Sequence, residues 1–194
     1  MLFFPGRNMV ARRAFKAGHA IILMILISLI HPDVCAQAAF RARLFTGVAG
    51  EAPPEATINI ESYSSSDELL ELHRHLYLND IDGFRAVFRQ MKKGTLSYPR
   101  SAGLYIQFHA ALERATDKGV QIFLVTDAQS AIPGTRKLRS WEFRFLVVVL
   151  DLDKSFNGEG KIYEDAELNF AEQDIEMVSS SSIPKMLTGV RLLK

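Results

Sequence analysis

The sequence predicts an α+β domain: a mostly antiparallel sheet of about 7–9 strands, laid out as a meander or open barrel, with a two-helix hairpin and an N-terminal signal helix. Three observations carry this. Beyond Gly94 apolar and polar residues alternate with a period of two. Between Ser65 and Met91 the apolar residues recur at helical spacing, and near the start a charge-free run, Ala20–Ile30, follows four basic residues.

The opening segment is justified first. Arg7, Arg12, Arg13 and Lys16 precede AIILMILISLI, which is too short for a membrane span of about 20 residues. A basic start, an apolar centre of this length and small residues after it describe a secretory signal peptide. Ala36-Gln37-Ala38 supplies the A-x-A pattern, so cleavage is expected after Ala38, with Val34-Cys35-Ala36 as a second site. The division is then 1–38 signal peptide and 39–194 single α+β domain, periplasmic or secreted, meeting the membrane only through the signal segment. Three alternatives exist. A lipoprotein would keep Cys35, but Asp33 fits a lipobox poorly. Twin-arginine export is suggested by Arg12-Arg13-Ala14-Phe15 and opposed by Lys16. An uncleaved membrane anchor would be short.

Composition excludes several classes. Of 194 residues 48% are apolar and 23% charged, which rules out a disordered chain, a collagen or a low-complexity protein. Losing Arg7, Arg12, Arg13, Lys16 and Asp33 with the signal leaves 19 basic and 21 acidic residues, a net charge of −2. A general nucleic-acid binder needs a basic surface to displace counterions, so no nucleic-acid partner is expected. Cys35, the only cysteine, leaves with the signal and takes disulfide and thiol chemistry with it.

The body begins with a short strand, Phe40–Val48, broken by Pro53-Pro54. Thr57–Tyr63 alternates as a half-buried strand. Ser65-Ser66-Asp67-Glu68 matches a capping box, with Leu69, Leu72, His73 and Leu76 following on one helical face. After Asn79-Asp80 a second helix lines up Ile81, Phe84, Val87, Phe88 and Met91, with Gly94 as its expected stop. Next comes a strand in which Leu104, Ile106, Phe108, Ala110 and Leu112 face one way and Tyr105, Gln107, His109 and Glu113 the other. Val120–Thr126 returns beside it. Trp141–Asp153, with its VVVL centre, is expected mid-sheet with both faces buried. Asn157-Gly158 is the expected turn into Lys161–Phe170, where Ile162, Ala166, Leu168 and Phe170 face one way and Lys161, Tyr163, Asp165, Glu167 and Asn169 the other, and Ile175–Ser179 and Lys185–Leu193 complete the meander.

Phe84–Leu96 (FRAVFRQMKKGTL), Val125-Thr126-Asp127, Gly158-Glu159-Gly160-Lys161 and Val190-Arg191-Leu192-Leu193-Lys194 resemble a family of small exported bacterial proteins with no assigned function. The resemblance covers most of the body. It implies a bacterial envelope protein and carries over no site residue.

Candidate chemistry is sparse. His109 with Glu113 or Asp127 would suit general acid–base work. Arg136, Lys137, Arg139 and Arg144 around Trp141 would suit an anion, a lipid headgroup or an acidic partner. Asp151, Asp153, Ser155, Asn157 and Glu159 place oxygens at alternate positions, as calcium loops do, but Phe156 and Ile162 stand where an EF-hand needs Gly and Glu. His73 and His75 diverge if helical. No cofactor is expected. The favoured reading is an exported non-catalytic module taking a small apolar ligand or a partner protein between sheet and hairpin. A hydrolase or isomerase using His109, and a structural or assembly factor of the envelope, are the alternatives.

Overall fold

The structure is a computed structural model describing residues 38–45, 52–98, 104–128, 144–181 and 183–193. The signal run, Trp141 and the basic residues Arg136, Lys137 and Arg139 lie outside these residues. Among the described residues no helix is long and apolar enough to cross a membrane.

The elements are β1 (Ala38–Phe45), β2 (Glu55–Ile60), α1 (Ser66–Tyr77), α2 (Ile81–Gln90), β3 (Gly94–Tyr98), β4 (Leu104–Phe108), β5 (Ala110–Thr116), β6 (Gly119–Asp127), β7 (Phe145–Asp153), β8 (Asn157–Phe170), β9 (Ile175–Ser180) and β10 (Lys185–Leu192). Among the described residues ten antiparallel strands form one sheet in the order β4-β3-β2-β1-β10-β8-β7-β6-β5, with β9 added to β8. The expected α+β class and antiparallel sheet are therefore present, with one strand more than the upper estimate.

The two ends of that order are consecutive in the chain. Only His109 separates β4 from β5. The sheet must therefore roll until its edges meet. No ladder joins β4 to β5 among the described residues. The seam is covered instead by the segment after β2: the Ser64 N–H donates to the Ala111 carbonyl at 2.7 Å, and the Ala111 N–H donates to Ser64 Oγ at 3.1 Å.

Rolling gives the sheet an inside and an outside. Phe40, Ile58, Leu96, Phe108, Ala111, Leu124, Leu150 and Leu187 come from every part of the strand order, yet they pack as one inner cluster. The helical hairpin packs on the outside. Leu69, Leu72, Phe84 and Phe88 meet Val125, Phe145, Val147, Ala166 and Phe170 there. β7 lies between β6 and β8 with both faces covered, as its continuous apolar run predicts.

The capping box forms as predicted: Glu68 N–H donates to Ser65 Oγ and Ser65 N–H to Glu68 Oε2. Between the helices Asn79 adopts φ 55°, which asparagine tolerates, and Asp80 caps α2 by accepting from Gly83 N–H.

Four expectations need correction. The second helix ends at Gln90 with Met91 as its cap, and Gly94 instead opens β3. The turn before β8 is Lys154–Phe156, with Phe156 at φ 59°, because Asp153 Oδ1 accepts from both Ser155 N–H and Asn157 N–H and closes the chain before Asn157. The alternation through Leu104–Leu112 breaks at His109: Phe108 and Ala111 point inward, while Ala110 joins the outer cluster. Lys161–Phe170 is likewise not one face. Val147 pairs with Tyr163 but Phe145 with Ala166, so a bulge adds one residue to β8. Ile162 then points inward while Ala166, Leu168 and Phe170 point outward.

Candidate functional site

The space between hairpin and sheet, where the sequence places a ligand, is filled. Phe84 stacks on Phe88 at 5.3 Å and meets Phe145 and Phe170 edge-on at 6.0 and 5.6 Å. These rings occupy the volume an apolar ligand would need.

The same outer face continues beyond the rings. Alternation turns Phe123 of β6 and Val149 of β7 outward, while Ile122, Leu124, Val148 and Leu150 turn in. Tyr163 precedes the β8 bulge and extends the same surface. β9 flanks it with Ile175 and Met177. Together these side chains floor a groove of about 440 Å³.

The rim is polar. Arg114 ion-pairs with Asp174, and its guanidinium lies 5.0 Å above the Phe123 ring. Asp174 Oδ1 also accepts from Ile175 N–H at 2.8 Å, which holds the start of β9 in place. Gln121 Nε2 donates to Asp151 Oδ1 at 2.6 Å, and Lys161 and Glu176 complete the edge. An apolar floor with a few placed polar groups is the usual build of a small-ligand pocket, typically about 300–1,000 Å³.

The sequence-derived candidates are dispersed. His109 sits at the β4–β5 corner, 8% exposed, with Nδ1–H donating to the Met91 carbonyl at 2.8 Å and its ring 5.2 Å from Phe88. A carbonyl only accepts, so the Nδ1 proton is committed to holding the corner. Asp127, 2% exposed, ion-pairs with Arg89 of α2. Glu113 faces the Tyr63 hydroxyl, which burial first and that carboxylate second hold above the ordinary tyrosine range. The three groups thus have three different partners.

Arg144 lies 3.7 Å from Asp165 and 3.5 Å from Glu167, so its charge is balanced on β8. Of the calcium candidates, Asp153 closes its own turn and Asp151 accepts from Gln121. Glu159 stands directly opposite Asp151, and Asn157 Nδ2 donates to the Ser155 carbonyl. Among the described residues no three His, Cys, Asp or Glu side chains are grouped to hold a metal. His73 and His75 do lie on a helix and diverge: His73 reaches the Phe170 carbonyl and His75 reaches Asp80.

Sequence reasoning missed the groove because its parts are distant in the chain. Arg114 and Asp174 are separated by 60 positions. Only the odd parity of Phe123 and Val149 within their strands, putting large apolar residues on the outer face, hints at them.

No family model, curated protein or solved structure matches the chain.

Proposed function

We propose that the chain is an exported, non-catalytic binding module of the bacterial cell envelope, released near Ala38. It holds a small apolar ligand, or an apolar side chain of a partner protein, in the groove over Phe123, Val149 and Met177. One observation carries this reading: the outer face keeps an apolar floor under a polar rim where the hairpin stops covering it. The commitment of His109, Asp127 and Glu113 to separate partners supports binding over acid–base chemistry. The export reading rests on the basic and apolar opening of the sequence.

Native mass spectrometry of the protein taken from its own envelope tests both parts. The polypeptide is expected to start at Gln37 or Ala39 and to carry a small molecule that Met177→Trp displaces. A retained signal segment overturns the export reading. An empty wild-type protein, or the same load on wild type and variant, overturns the groove.

A further inference from the structure

A second site stands elsewhere on the sheet and is independent of the groove. Phe40 and Ala42 of β1 point into the rolled sheet, so Arg41 and Arg43 alternate to the outside. Val190 of β10 points in, so Arg191 turns out, and the register sets it directly opposite Arg41. Two guanidinium groups are thus cross-strand neighbours, a pairing that destabilises a sheet. The local fold offers partial compensation only. Arg41 Nε lies 3.2 Å from Glu55, which the register sets directly opposite Arg43, so one carboxylate serves both β1 arginines; among the described residues no ion pair joins Arg43 or Arg191 to a carboxylate.

Beside them β10 bulges. Arg41 pairs with Arg191 and Arg43 with Thr188, so β10 holds one extra residue, and Gly189 takes φ +61° there. A Cβ on Gly189 would meet nothing within 4 Å, so the space over the bulge is open. The three arginines, Glu55, Thr188 and Gly189 line a depression of about 500 Å³ around it, three positive side chains against one carboxylate.

We propose that this depression binds a phosphate-type oxyanion, held between the forked donors of Arg43 and Arg191 with Arg41 adding charge. The geometry gives the like charges a use: an anion beside Arg191 offsets its repulsion with Arg41 and makes charge-assisted, multidentate contacts with Arg43 and Arg191. The ligand chemistry is the same for a free phosphate and for an anionic lipid headgroup.

Binding is measured by calorimetry with inorganic phosphate, at constant ionic strength set by chloride, and by co-sedimentation with vesicles of phosphatidylglycerol against vesicles of phosphatidylcholine alone. Wild type is expected to bind phosphate, phosphatidylglycerol vesicles, or both, and the responding arm names the source. R43Q/R191Q is expected to weaken that binding at least tenfold while its melting temperature holds or rises, since the opposed charges are relieved. No binding in either arm, or equal binding by wild type and variant, overturns the proposal. A fall in melting temperature with unchanged affinity also overturns it, because the arginines would then be structural.

Discussion

Lys93 Nζ lies 2.7 Å from both carboxylate oxygens of Glu68. The pair ties the segment after α2 to the first turn of α1, and Lys93 is almost wholly buried while Glu68 is partly open to water. Removing one member leaves the other short of its partner. Lys93→Met is expected to lower stability in urea unfolding by about 2–3 kcal/mol, below the roughly 3–5 kcal/mol of a fully enclosed pair. Adding Glu68→Gln to it should return part of that loss.

The same carboxylate makes the hairpin acid-sensitive. Burial pushes Glu68 up, but the Lys93 ammonium and the Ser65 N–H together hold it below the ordinary glutamate value. Asp80 is also lowered, by the Gly83 N–H and then His75. A carboxyl whose folded pKa is depressed contributes stability that is complete above its unfolded pKa, near about 4, and is lost as pH falls through the folded value. Unfolding midpoints measured from pH 6 to pH 2 should therefore drop in that window, and less steeply in Glu68→Gln.

Alkali should act at the opposite side of the molecule's pH range through Tyr98. Burial, with the Glu164 carboxylate adding to it, pushes its hydroxyl up to about 12. The folded state then keeps a proton that the unfolded chain has released above pH of about 10, so stability falls between pH 10 and 12 by about 2–3 kcal/mol. Tyr98→Phe should remove this part of the alkaline loss, and an unchanged alkaline limb would show that Tyr98 ionises freely.

Phe84 is the centre of the outer ring cluster, fully buried against Phe88, Phe145 and Phe170. Phe84→Ala should cost about 3–5 kcal/mol by denaturant titration. Phe84→Leu, which keeps most of the volume, should cost clearly less.

Asp153 closes the β7–β8 turn through two backbone N–H groups. Asp153→Ala should therefore lower the melting temperature in calcium-free buffer, with a loss of about 1 kcal/mol. Millimolar calcium should leave the wild-type melting temperature unchanged; a clear rise would make the Asp151–Glu159 oxygens a cation site after all.

Much of the architecture is legible locally. The helical hairpin follows from a capping box and two apolar stripes, and β7 from an unbroken apolar run, because each is decided by neighbours in sequence. What fails is strand facing. His109 and the β8 bulge each reverse the parity of a strand, and neither carries a glycine or proline to announce it. Alternation still marks Ala166, Leu168 and Phe170 as buried but not which layer buries them. The groove and the arginine cluster fail for a different reason: Arg41 and Arg191, like Arg114 and Asp174, become neighbours only through pairing of distant strands.

That distance also bears on how the body is assembled. Thr188 of β10 reaches the Arg43 carbonyl across 145 positions of chain, and β10 fills the gap between β1 and β8. Until β10 arrives, both neighbours present bare edges and the roll stays incomplete, so the polypeptide has to wait for its closing piece before it locks. The contact most distant in sequence is thus also the one that completes the sheet, and everything synthesised before β10 stays unlocked until that strand is paired.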